Sequence, residues 1–165
     1  MTMTPPPIAR VRRTFQQPEI ADAPAAVAKA VASSRLAERA PAGGEIAITV
    51  GSRGIAGIPE IARAAVEAVR ALGFRPFVVA AMGSHGGASA DSQRALLAEL
   101  GVTERSVGCP IRSEMETVVL GMNSLGLPIC FDRNAYEADG IVLLNRIKPH
   151  TSFTGDYESG LLKML

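Results

Sequence analysis

Ile46-Ala-Ile-Thr-Val50-Gly-Ser-Arg53-Gly-Ile-Ala-Gly57-Ile-Pro59-Glu-Ile61 is the stretch on which the fold turns. Its first five residues read as a continuous apolar strand, the kind buried on both faces of a parallel sheet. Gly51 to Gly57 then breaks the strand as a glycine-containing loop. Pro59 suits the first turn of a helix, and Glu60 suits that helix's positive end. Ile61, Ala65, Val69 and Leu72 recur on one helical face, and Gly73 fits the C-terminal stop.

The same cycle follows at once. Pro76 to Ala81 reads as a second apolar strand, Gly83-Ser-His85-Gly-Gly87 as its loop, and Ser89 to Gly101 as a helix capped by Ser89 or Asp91. Strand, glycine loop and helix, twice over, predict βαβ units: an α/β fold with a mostly parallel sheet flanked by helices. Beyond them, Thr117-Val-Val-Leu-Gly121 and Leu127-Pro-Ile-Cys-Phe131 read as an added hairpin around Met122 to Gly126. Asp132 to Ala138 reads as a short helix, and Gly140 to Leu144 as another buried strand. Toward the N-terminus, residues 1 to about 18 form a proline-rich arm. Ala21 to about Ala40 forms a helix with Val27, Val31 and Leu36 as its apolar stripe, and Pro41-Ala-Gly-Gly44 ends it. The expected organisation is an arm and helix over 1–40 and an α/β domain over 41–165.

Composition narrows the function classes. A chain of 165 residues with 47% apolar residues is long enough for one domain with a core. A net charge of +1 gives no argument for a nucleic-acid or membrane partner. No apolar run approaches the ~20 residues of a membrane span. Arg12-Arg13 resembles a twin-arginine signal, but Glu19, Asp22 and Lys29 occupy its would-be apolar segment. Cys109 and Cys130 sit in no Cys-x-x-Cys motif and read as reduced thiols of a cytoplasmic protein, both as small core residues.

In open α/β sheets, ligands bind outside the carboxyl ends of the strands. Three loops qualify: Gly51-Ser-Arg53-Gly, Gly83-Ser84-His85-Gly86-Gly, and Asn145-Arg-Ile-Lys148-Pro-His150-Thr. Parallel strands would bring all three to one edge. They carry both histidines of the chain, His85 and His150, each just past a strand. Imidazole near neutral pH serves as acid, base or metal ligand, and equally as a loop residue that bonds backbone. Two positioned histidines suit a reaction that moves protons on either face of a stereocentre. Two alone are few for zinc, and no metal site is expected. Glycines beside His85 let a ligand approach the backbone. Arg53 suits a carboxylate or phosphate, with Lys148 as its helper; both also read as solvated cations. Lys163, in Leu161-Leu-Lys-Met-Leu165, reads either as a snorkelling lysine or as an amine in a dry pocket that bonds a carbonyl or cofactor.

Ser52-Arg53 after the first strand, Gly83-Ser-His85, Pro149-His150 and Ser159-Gly160-x-x-Lys163 together resemble the N-terminal domain of the nickel-dependent lactate racemase family. The stretch from Val50 to Leu165 is similar to an uncharacterised lactate-racemase-like branch of it. The resemblance implies an isomerase that racemises or epimerises a 2-hydroxy acid through a nickel pincer nucleotide. This cofactor is a pyridinium mononucleotide whose ring holds nickel through carbon and sulfur. It implies Lys163 as the cofactor tether; Ser84 and Gly86, beside His85 in its glycine loop, are candidate further cofactor contacts. His85 and His150 become the acid and base on the substrate hydroxyl and Arg53 the substrate grip, beside which Lys148 stays a candidate helper. Cofactor-synthesis proteins are implied partners. The best-known members carry Asp-x-Thr-Arg-Pro where this chain has Val50-Gly-Ser-Arg53-Gly, which leaves the substrate open. Leu165 falls barely two turns into an uncapped apolar helix that begins near Glu158. A longer protein is therefore expected, with the nickel-binding histidine and a second domain after 165, and the fragment alone is expected to be inactive. The alternative is a non-catalytic module of the same fold that binds a nucleotide or organic acid.

Overall fold

A computed structural model describes residues 10–12, 20–52, 54–150, 152 and 154–161. Arg53, Lys163 and most of the proline-rich arm lie outside the described residues.

Four strands form one sheet: β1 (Glu45–Val50), β2 (Arg75–Ala80), β3 (Ile111–Arg112) and β6 (Gly140–Val142), in the order β3-β2-β1-β6. Every neighbouring pair is parallel. β4 (Thr117–Met122) and β5 (Pro128–Asp132) pair antiparallel as a separate hairpin. The α/β fold with a mostly parallel sheet and an added hairpin therefore holds.

The apolar runs have the expected cause. β1 is buried along its length after Glu45 because both its faces are covered. Ile46, Ile48 and Val50 face the main core with α1 (Ala23–Ala32), α3 (Ile58–Ala71) and α4 (Ala90–Glu99). Ala47 joins Phe77, Val79 and Ala135 in a smaller core on the opposite face, under α6 (Arg133–Glu137). Ile61, Ala65 and Val69 of α3 are buried as their spacing predicts, Pro59 sits in its first turn, and Gly73 follows it with φ +88°. Ser89 caps α4, its hydroxyl accepting from the Ser92 N–H at 3.3 Å.

Four details differ from the sequence reading. The helix expected over 21–40 is two, α1 and α2 (Leu36–Arg39). The hydroxyls of Ser33 and Ser34 donate back to the carbonyls of Ala30 and Val31 and end the first. The strand at Gly140 is half-buried rather than buried, because it forms the sheet edge and nothing pairs with its outer side among the described residues. Cys109 is buried, but Cys130 is exposed, since the hairpin that carries it stands off the main sheet. Residues 102–116 hold two unanticipated elements, α5 (Glu104–Val107), closed by a reciprocal Thr103–Ser106 capping box, and the two-residue β3. Among the described residues no helix is long and apolar enough to cross a membrane.

Candidate active site

Because β1, β2 and β6 run parallel, the three loops that leave their carboxyl ends open on one edge. Polar ties join them. The Leu144 N–H donates to Thr49 Oγ1 at 3.0 Å, and Arg146 Nη1 donates to the Gly54 carbonyl at 2.9 Å. Between the loops lies a cavity of about 610 Å³. Its walls include Ser52, Ser84, His85, Gln93, Lys148 and Ser159, over apolar ground supplied by Ile55, Met82, Met115, Phe131 and Leu144.

His85 is held from two sides. Its Nδ1 pairs with the hydroxyl of Ser52, from the loop after β1. Its carbonyl and that of Gly83 both accept from Gln93 Nε2, at 3.2 and 2.7 Å. Gln93 is only 2% exposed and stands on α4 directly behind the loop. The loop turns tightly enough that Gly86 and Gly87 both take left-handed conformations, φ +65° and +64°. Gly86 also packs closely on α4: a Cβ there would meet Ser92 and the end of Leu96 at 3.2 Å. Gly86 is thus a packing position behind the cavity, whereas Ser84 and His85 line it.

The third loop is hooked by its own downstream residues. Ser159 Oγ accepts from the Lys148 N–H at 2.6 Å and donates to the Lys148 carbonyl at 2.5 Å. Glu158 accepts from the His150 N–H at 2.7 Å and from the Gly155 N–H at 3.1 Å. Those two amides hold its carboxyl below the usual carboxylate range. His150 Nδ1 accepts from the Ser152 N–H at 3.0 Å. Lys148 lines the cavity, whereas His150 stands outside its lining. The cavity thus brings together Ser84, His85 and Lys148. Arg53 and Lys163 fall outside the described residues.

Sequence reasoning missed several neighbours. Gln93 had one signal, a polar residue on a helical face continued by Leu96, Leu97 and Leu100. Asp132 and Glu114 also line the cavity. Asp132 caps α6 by accepting from Ala135 N–H at 2.8 Å, and burial pushes its carboxyl above the usual range against those backbone bonds. Neither acid carried a signal in the sequence, because only the packing of the hairpin brings them there. Among the described residues no three His, Cys, Asp or Glu side chains group closely enough to hold a metal ion.

Comparison with curated proteins and with solved structures returned no match. Comparison with protein families matched residues 8–160 to the lactate racemase N-terminal domain. With nearly its whole length so matched, and with an α/β edge that gathers the loops of both histidines, the chain belongs to the lactate racemase N-terminal domain family.

Proposed function

We propose that the chain is the cofactor-binding part of a racemase or epimerase of a 2-hydroxy acid that works with a nickel pincer nucleotide. The observation that carries this reading is the cavity at the shared carboxyl edge, where His85 and Lys148 meet over apolar walls in a chain of this family. Its volume of about 610 Å³ lies within the ~300–1,000 Å³ of small-molecule sites. The residues present fit the group: aliphatic walls for a ring, the Ser84 hydroxyl for polar substituents, and Lys148 for an anion.

We assign Lys163 to the tether and Ser84 to the cofactor's surroundings, with Gly86 packing the loop onto α4 behind them. Arg53 and Lys148 take the substrate carboxylate. When bound, the cofactor supplies a reversible acceptor for the hydrogen on the substrate's carbon 2. The remaining work belongs to the chain. His85 and His150 take and return the hydroxyl proton, which imidazole does near neutral pH. The substrate carbon passes through a planar keto form, from which either stereoisomer is reached. Apolar walls exclude water and strengthen the charged contacts to the carboxylate. The free thiols of Cys109 and Cys130 suit a cytoplasmic protein, and cofactor-synthesis proteins are its proposed partners.

Intact mass of the natural full-length protein, made together with cofactor-synthesis proteins, tests this. The expected result is an adduct that maps to Lys163 with bound nickel. An unmodified, nickel-free protein overturns it.

A second reading, an organic-acid-binding module without turnover, has its own support. Val50 stands where the best-known members have an aspartate, and His150 lies outside the cavity lining. That reading expects loaded protein to bind a 2-hydroxy acid and leave its configuration unchanged.

A further inference from the structure

We infer that Ser52 is the positioning residue of His85, and that its bond leaves the two histidines in opposite tautomers. His85 carries its proton on Nδ1 and offers Nε2 as a base; His150 carries its proton on Nε2. The inference rests on the acid/base reading above for its meaning, but on geometry for its content.

His150 is the simpler case. A backbone N–H only donates, so the ring nitrogen that accepts from Ser152 has a lone pair. The neutral ring therefore keeps its one hydrogen on Nε2. His85 differs because its Nδ1 partner is a hydroxyl, which both donates and accepts. Only one direction survives a catalytic cycle. With Nδ1–H donating to Ser52 Oγ, Nε2 gains and loses a proton while the Nδ1 bond stays intact. With the hydroxyl donating instead, the neutral ring carries its one hydrogen on Nε2, which then has no lone pair to take a proton. The rest of the loop leaves the ring little freedom. Gln93 binds the His85 carbonyl, and the His85 N–H donates to the Met82 carbonyl at 3.2 Å. Ser52 occupies Nδ1, so Nε2 is the nitrogen left for a ligand in the cavity that His85 lines. In the resting tautomers His85 is thus set to take a proton, whereas His150 presents a hydrogen-bond donor and becomes a base only once its Nδ1 bond to Ser152 is given up. Ser52, in the cavity wall, acts through its bond to His85.

The test needs neither cofactor nor turnover. The chain labelled with ¹⁵N-histidine has only two imidazoles, and a His150→Gln variant assigns them. Long-range ¹H–¹⁵N correlation at about pH 8.5, above the ordinary histidine pKa of ~6.5, reads which nitrogen carries the hydrogen. The expected spectrum shows a protonated Nδ1 for His85 and a protonated Nε2 for His150. Ser52→Ala is expected to move the His85 hydrogen to Nε2, and Ser52→Thr, which keeps the hydroxyl, to leave it on Nδ1. The same tautomer in both rings, or a Ser52→Ala spectrum unchanged at His85, overturns the inference. Opposite tautomers in a full-length protein that never racemises sink the functional reading and spare this one. Equal tautomers in a racemising protein do the reverse.

Discussion

The loop after β2 and the loop after β6 each deliver a histidine beside the same edge, but they are built differently. The first leaves a central strand buried on both faces and rests on Gln93, which is itself buried. The second leaves a half-buried edge strand and is held by Ser159 and Glu158, close by in sequence. Placement of His85 is thus tied to the core of the domain, whereas that of His150 depends on local hooks. A fold that ties one histidine to its core and leaves the other on a locally fastened loop has a built-in division between frame and adjustable part.

The largest expected effect is on the frame. Phe77 is 1% exposed on β2, with the Arg112 guanidinium stacked 3.8 Å from its ring centroid. Phe77→Ala is expected to cost about 3–5 kcal/mol in urea unfolding. Ile147, 84% exposed in the second loop, is the counterpart, and Ile147→Ala is expected to stay within about 0.5 kcal/mol. Equal losses would break the comparison.

Next comes Gln93→Ala, which strips the Gly83 and His85 carbonyls of a buried donor. The expected loss is about 1–3 kcal/mol, accompanied by changed His85 ring signals and unchanged His150 signals. Movement of both histidines would mean that the two loops form one unit.

A smaller, local effect belongs to Glu158. Its carboxyl is held below the usual range by two backbone amides, so its bonds to the loop are present above the ordinary carboxylate pKa of ~4.3. They are lost as pH falls through the lowered value. The amide signals of His150 and Gly155 are expected to shift together with a midpoint below that of a free glutamate, and Glu158→Gln is expected to abolish the transition. A midpoint above the free value contradicts the hook.

The thiols extend the contrast without changing stability. Burial pushes the Cys109 thiol up to about 11, while Cys130 is exposed on the hairpin. A maleimide is expected to add once to native protein and twice after unfolding, by intact mass. Rapid double labelling of native protein would mean an open core.

Much of the frame was legible because it is written in local chemistry. The apolar runs of β1 and β2, the glycine loops and the Pro59–Gly73 helix each carry their own signal. The failures have physical reasons. Two-residue β3 is too short to show a period, and its pairing with β2 comes from tertiary packing. The split of α1 from α2 depends on where two serine hydroxyls turn. The edge position of β6 follows from strand order, which an apolar run does not encode. At the site, Ser84, His85 and Lys148 were readable as loop residues after strands. Gln93, Glu158 and Asp132 were not singled out, since each matters through a partner that only the folded chain brings close.

Racemisation of a 2-hydroxy acid is the activity we propose at this edge. Its most direct test is the natural full-length protein, loaded with cofactor and given one enantiomer of a 2-hydroxy acid in D₂O. Chiral chromatography with mass detection then follows both product and label. The opposite enantiomer is expected to appear with little deuterium at carbon 2. Deuterium wash-in at that carbon, or a single enantiomer that persists in loaded protein, would contradict it.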